Sequence, residues 1–125
     1  MSEHYEVGLS PDGSYVFVRE IKRAISLDLA LRFTSAFTTL GESSNVSRCL
    51  IDVRGTKSIA GAMGEYDYAY KKAGPAGLTQ KWRVALVKDT TDTTHDFLLT
   101  VMDNAGHTFK MFEDEGEAVA WLTDG

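Results

Sequence analysis

Two short runs constrain the fold of this chain more than any other feature: Cys49-Leu50-Ile51 within CLIDVRG, and Val84-Ala85-Leu86-Val87 within WRVALV. A strand with one face in water alternates apolar and polar residues. A strand that is apolar throughout is buried on both faces, as in a parallel sheet covered by helices. Ser47–Val53 and Trp82–Val87 are therefore expected to be central strands. The segments between and around them decide how the sheet is wound.

Tyr5–Leu9 and Tyr15–Ile21 are rich in Val, Tyr, Phe and Ile, and Pro11-Asp12-Gly13 lies between them, which predicts a β-hairpin. Ser26–Leu40 has a helical pattern with Ser26 as N-cap, a broad apolar surface including Leu27, Leu29, Phe33 and Phe37, and Gly41 as a left-handed stop. A second helix is expected from about Ser58 to Ala73, with Met63, Tyr66, Tyr70 and Ala73 on one face and Gly74-Pro75 ending it. Thr94–Ala105 should be a helix carrying Phe97, Leu98, Val101, Met102 and Ala105 inward. Thr108–Phe112 follows as a strand, and Asp114–Leu122 as a helix with a capping box of Asp114 and Glu117. The expected class is α/β: a single-layer mixed β-sheet of about five strands with four helices, in the order ββαβαβαβα, as one domain over residues 1–125.

Composition excludes several function classes. Net charge is −5, so the chain lacks the basic surplus of a nucleic-acid binder. Cys49 is the single cysteine, which excludes an intrachain disulfide and a thiolate zinc site; its apolar neighbours predict a buried, inert thiol. No apolar run approaches the roughly 20 residues of a membrane span, and MSEHYEVGLS does not read as a signal peptide, so a cytoplasmic location is expected.

The element order, together with two stretches, resembles the STAS domain of bacterial anti-sigma-factor antagonists, and more closely the SpoIIAA-like (STAS/SEC14-type) group. One stretch is CLIDVRG, an apolar strand closing on Asp52. The other is HTFKMFEDEGEAVAWL, a strand into Phe112, an acidic cap, Ala118, and the ending Ala120-Trp121-Leu122. The resemblance implies a non-enzymatic regulatory or protein-interaction module with an unknown protein partner and no cofactor. Its SEC14-type side implies a carrier or sensor of a lipid or other apolar small molecule. Phosphorylated STAS antagonists carry Asp-Ser-Ser-Gly after this strand; here the region reads Thr56-Lys57-Ser58-Ile59-Ala60-Gly61, with Ser58 the nearest positional match and Thr56 the second.

The residues supply two candidate sites. The strand end at Asp52, with Arg54, Thr56 and Ser58, is a candidate switch or partner surface. Asp52 resembles the phosphoacceptor of a receiver domain, but the early strands offer no adjacent acidic pair to hold Mg²⁺, so a carboxylate that caps a loop or pairs with Arg54 is favoured. Ser58 reads either as a phosphosite or as a plain N-cap. Phe33, Phe37, Met63, Tyr66, Tyr70 and Trp82 form a candidate apolar pocket between helices and sheet, with core and rim as the plainer reading. His4, His95 and His107 show no metal-ligand spacing, and His95, in a polar helix start, is expected to be solvated; the acids from Glu113 to Glu117 complement a helix dipole. A homodimer through the hairpin edge is also compatible with the sequence.

Overall fold

A computed structural model describes residues 4–124; the remaining ends of the expected 1–125 domain, residues 1–3 and 125, lie outside the described residues. The elements are β1 (Glu6–Leu9), β2 (Val16–Arg19), α1 (Leu27–Ser44), β3 (Arg48–Asp52), α2 (Gly61–Asp67), a π-helical turn (Tyr68–Lys72), β4 (Arg83–Val87), α3 (Asp96–Asn104), β5 (Thr108–Phe112) and α4 (Glu115–Thr123). They form one α/β unit around a five-stranded sheet in the order β1-β2-β3-β4-β5. The first pair is antiparallel and the other three are parallel. The hairpin turns where expected: Gly13 has φ +75, and Asp12 Oδ1 accepts from the Ser14 amide at 3.0 Å.

Strand order explains the layering. Each of the three crossovers moves one place in the same direction across the sheet, and right-handed crossovers then put α1, α2 and α3 on one face. Cys49, Ile51, Val84 and Leu86 point into that main core, together with Phe33, Phe37, Tyr68 and Met102. Leu50, Ala85 and Val87 point the other way, where Ala118 and Leu122 of α4 cover them. The two continuous apolar runs thus meet helices on both sides. On that second face Tyr15 and Phe17 pack against the edge of the α4 cluster, Phe17 lies across its register partner Gly8, and the Arg19 guanidinium sits 4.2 Å above the Phe17 ring.

Ser26 caps α1 as expected, its Oγ accepting from the Leu29 amide at 3.1 Å. The helix does not stop at Gly41. It continues for another turn, and Asn45 takes the left-handed position (φ 58, ψ 43). Gly41 serves a different need: a Cβ there would run into the Trp82 indole and the Val46 carbonyl. That contact lets Trp82 bury completely, edge-on to Phe37 with ring centroids 5.4 Å apart. Among the described residues no helix is long and apolar enough to cross a membrane.

The second helix differs most from expectation. It begins at Gly61, not Ser58, because residues 57–59 are extended and bonded to Ile25: the Ile25 amide donates to Lys57 O and the Ile59 amide to Ile25 O, each at 2.9 Å. After Asp67 the coil widens, and the Ala73 amide donates to Tyr68 O, five residues back. The inward residues are Glu65, Tyr68, Ala69 and then Ala73, while Lys72 is exposed. Regular α-helical spacing would place Lys72, four residues after Tyr68, against the core; the extra residue of the π turn presents Ala73 instead.

Gly41→Ala should therefore destabilise the protein by about 1–3 kcal/mol, the usual cost of forcing a methyl into a filled core. Urea denaturation monitored by tryptophan fluorescence checks it.

Candidate functional site

The carboxyl edge of the parallel strands is where α/β sheets place their sites, and here it gathers the polar residues that the sequence singled out. Asp52 closes β3 opposite Val87, and the Val53 amide donates to Val87 O at 2.8 Å. Asp52 Oδ1 accepts from the Arg54 amide (3.1 Å) and Nε (2.9 Å), and Oδ2 accepts from Arg54 Nη2 at 2.8 Å. Arg54 Nη2 also donates to Glu115 Oε1 at 2.8 Å, joining the strand end to the start of α4. Its hydrogen bond to Asp52, then the charges of Asp52 and Glu115, hold the guanidinium above its ordinary value against the opposing effect of burial. The favoured role for Asp52, pairing with Arg54 and capping the loop, is the arrangement present.

Behind this pair runs a polar chain that is exposed at Gly55 and buried at Thr56. Gly55 (φ +78) donates its amide to Asp89 Oδ2 at 2.6 Å. Thr56 is buried, and its hydroxyl donates to Ile21 O at 2.9 Å. The Ser58 amide donates to Thr94 Oγ1 (3.0 Å), whose own hydroxyl donates to Asp92 Oδ1 (2.7 Å). Ser58 Oγ donates to Glu65 Oε2 at 3.0 Å. Ser58 is therefore not an N-cap: α2 is preceded by Ala60, which makes no side-chain cap.

His95 corrects the expectation of a solvated side chain: it is buried. Its Nε2 lies 3.2 Å from Thr56 O and 3.4 Å from Asp92 Oδ2. A carbonyl only accepts, so that nitrogen carries hydrogen. Asp92 is covered but shallow. Its desolvation would raise the carboxyl, yet the hydrogen bonds from Thr94, with His95 and Lys57 nearby, together hold it below the usual carboxylate range. Asp92 and His95 were missed as site residues because their partners, Thr56 and Thr94, lie on separate segments or inside a turn with no periodic signal.

The candidate apolar pocket does not assemble as expected. A small cavity of ≈ 40 Å³ lies between α1, α2, α3 and the sheet, and Phe33 alone of the six candidates lines it. Phe37 and Trp82 pack against each other deeper in the core. Met63, Tyr66 and Tyr70 point outward, because Glu65, Tyr68 and Ala69 take the inner face of α2 and the π turn. Phe97 of α3 likewise faces solvent, not the core. The cavity has room for a few water molecules, far below the several hundred Å³ of a site for a drug-sized ligand.

Glu65 lines this cavity, and Tyr68, whose hydroxyl is 2.6 Å from Thr34 Oγ1, lies beside it. Burial pushes the Glu65 carboxyl above its ordinary value of 4.5, with the Ser58 hydrogen bond opposing. A phosphate on Ser58 would be set against Glu65, and one on Thr56 would displace a buried hydroxyl from Ile21 O, so neither acceptor suits phosphorylation in the folded state. The hydroxyls of Thr56, Ser58 and Thr94 all donate to internal acceptors, an arrangement that braces the edge. Among the described residues no group of three or more His, Cys, Asp or Glu side chains could hold a metal ion. No family model matches this chain, and no curated protein or solved structure matches it.

The native state holds the Glu65 proton to higher pH than the unfolded chain does. Its contribution to stability is thus complete at low pH and is lost as pH rises from about 4.5 through the raised folded value. Glu65→Gln, which still accepts from Ser58 but has no charge to bury, should raise Tm at pH 8 and change it little at pH 4. Thermal unfolding followed by circular dichroism at both pH values measures the difference.

Proposed function

We propose that this chain is a non-enzymatic regulatory or protein-interaction module that docks a protein on the outer face of α2 and the π turn. One observation carries this reading. Of the six large hydrophobic side chains exposed among the described residues, four lie on residues 59–70: Ile59 (64%), Met63 (79%), Tyr66 (47%) and Tyr70 (47%). A fifth, Phe97 (44%), is on α3, which packs beside α2. Scattered exposed apolar residues need no explanation, whereas several gathered on one short segment mark an interaction surface. The Tyr66 and Tyr70 rings are already in contact, centroids 4.7 Å apart, so this part of the stripe is preformed.

The strand end supports the same reading. Its hydroxyls and carboxylates brace the backbone that leads into the stripe, and Ile59 is pinned by its backbone bond to Ile25 while its side chain stays outside. A STAS-like module would present this edge and the following helix to its partner, in keeping with the resemblance carried by CLIDVRG and the Ala120-Trp121-Leu122 ending.

A photo-cross-linking amino acid in place of Met63 should capture a protein in cells, whereas the same group in place of exposed Lys110 on β5 should not. Adding Tyr66→Lys and Tyr70→Lys should abolish the adduct. Equal labelling at both positions, or none at position 63 across growth conditions, would overturn the proposal.

A further inference from the structure

The small cavity between α1, α2, α3 and the sheet has apolar walls, Phe33, Ile51, Leu86, Leu98 and Phe109 among them. Ser58, Glu65, Tyr68 and His95 line it as well. Glu65 is 5% exposed and His95 2%, so a carboxyl and an imidazole are both held in protein around one apolar space. Ser58 joins them. Its hydroxyl donates to Glu65 Oε2, and its amide donates to Oγ1 of Thr94, the residue before His95. An apolar cavity with a few convergent polar groups is the form a ligand site takes.

The hydrogen bonds already made give the chemistry of the missing partner. The Ser58 hydroxyl is spent on Glu65, the Tyr68 hydroxyl is engaged with Thr34 Oγ1, and His95 Nε2 faces Thr56 O. Glu65 Oε1 and His95 Nδ1 make no hydrogen bond among the described residues. With hydrogen on Nε2, Nδ1 of the neutral ring is a lone pair, so both unused atoms are acceptors. No neighbouring cation offsets the carboxyl; Ser58 alone acts against its burial. The complementary ligand therefore brings N–H donors and a positive charge. Size fixes the rest. A space of ≈ 40 Å³ holds about three water molecules, the room of an ammonium group with two or three carbons behind it.

The cavity reaches the surface between α1 and α2, where its lining residues Leu27, Ala30, Ser58, Ala60 and Gly64 are only half-buried. Glycine inside a helix is unfavourable relative to alanine. A methyl at position 64 would lie 3.1 Å from the Ala60 Cβ and 3.9 Å from the Leu27 Cβ, and its absence keeps this mouth clear.

We propose that the cavity is a binding site for a short primary alkylammonium ion, its nitrogen held by Glu65 and His95 Nδ1 and its carbon tail by the apolar walls. The site lies on the inner side of α2, behind the docking stripe, and does not rest on that stripe's having a partner.

Thermal unfolding of the purified full chain at pH 8 and constant ionic strength, followed by circular dichroism, tests the proposal. n-Propylammonium chloride should raise Tm saturably. Its dissociation constant should be on the order of 1 mM, within reach of a ligand of about four heavy atoms that gives up its hydration on entry. Tetramethylammonium chloride, a cation without N–H donors, and n-propanol, a donor without charge, should bind at least about tenfold more weakly. Glu65→Gln should lose the response, although the free variant is the more stable protein at this pH. Ala30→Leu, which fills the cavity from α1 with a good helix former, should lose it too. No saturable rise in the unaltered protein, an equal response to n-propanol or tetramethylammonium, or a response that survives Glu65→Gln or a folded Ala30→Leu would overturn the proposal.

Discussion

The parallel ladder between β3 and β4 is the constraint on which the rest of the structure depends. Its residues are apolar on both sides, so the sheet has to be covered twice. Same-handed crossovers supply three helices to one face, and the chain reaches the other only after β5, with α4. The Trp82–Gly41 contact follows from the same demand: an indole at the entrance to β4 can be buried only where α1 offers no side chain. On the second face the hairpin covers itself with Phe17 across Gly8, at the edge of the α4 cluster.

The polar edge and the apolar stripe are two consequences of one segment, residues 52–72. Its first part must leave a buried strand, turn at Gly55, and pair with Ile25 before a helix can begin. The polar groups along that path, exposed at Gly55 and buried or half-buried at Thr56 and Ser58, find partners in Asp89, Thr94, Ile21 and Glu65. With Ser58 tied to Glu65, the inner face of α2 is committed to Glu65, Tyr68 and Ala69. Met63, Tyr66 and Tyr70 are thereby turned outward. The bracing of the edge and the exposure of the stripe are coupled through the rotation of one short helix.

Much of the fold was legible because its signals are local. The Ser26 cap, the Asp114 cap, the turn at Pro11-Asp12-Gly13 and the unbroken strands each declare themselves within a few residues, and each is present. The candidate site was legible only in part. The Asp52–Arg54 pair spans two residues and was foreseen. His95 and Asp92 depend on Thr56 and on a turn far along the chain, and no periodicity reports such contacts. The tyrosines misled for a related reason: in Tyr66-Asp67-Tyr68-Ala69-Tyr70 either Tyr68 or the Tyr66–Tyr70 pair could face inward, and spacing alone does not choose.

The sequence by itself determined the class, the element order and the positions of the buried strands, because burial on two faces and helix capping are written in runs of neighbouring residues. The tertiary structure alone decided which side of α2 meets the core. That choice depends on a π turn that replaces Lys72 with Ala73, on a hydroxyl of Ser58 reaching Glu65, and on Thr34 meeting Tyr68. These are contacts between segments, and their energy appears only once the sheet has brought those segments together.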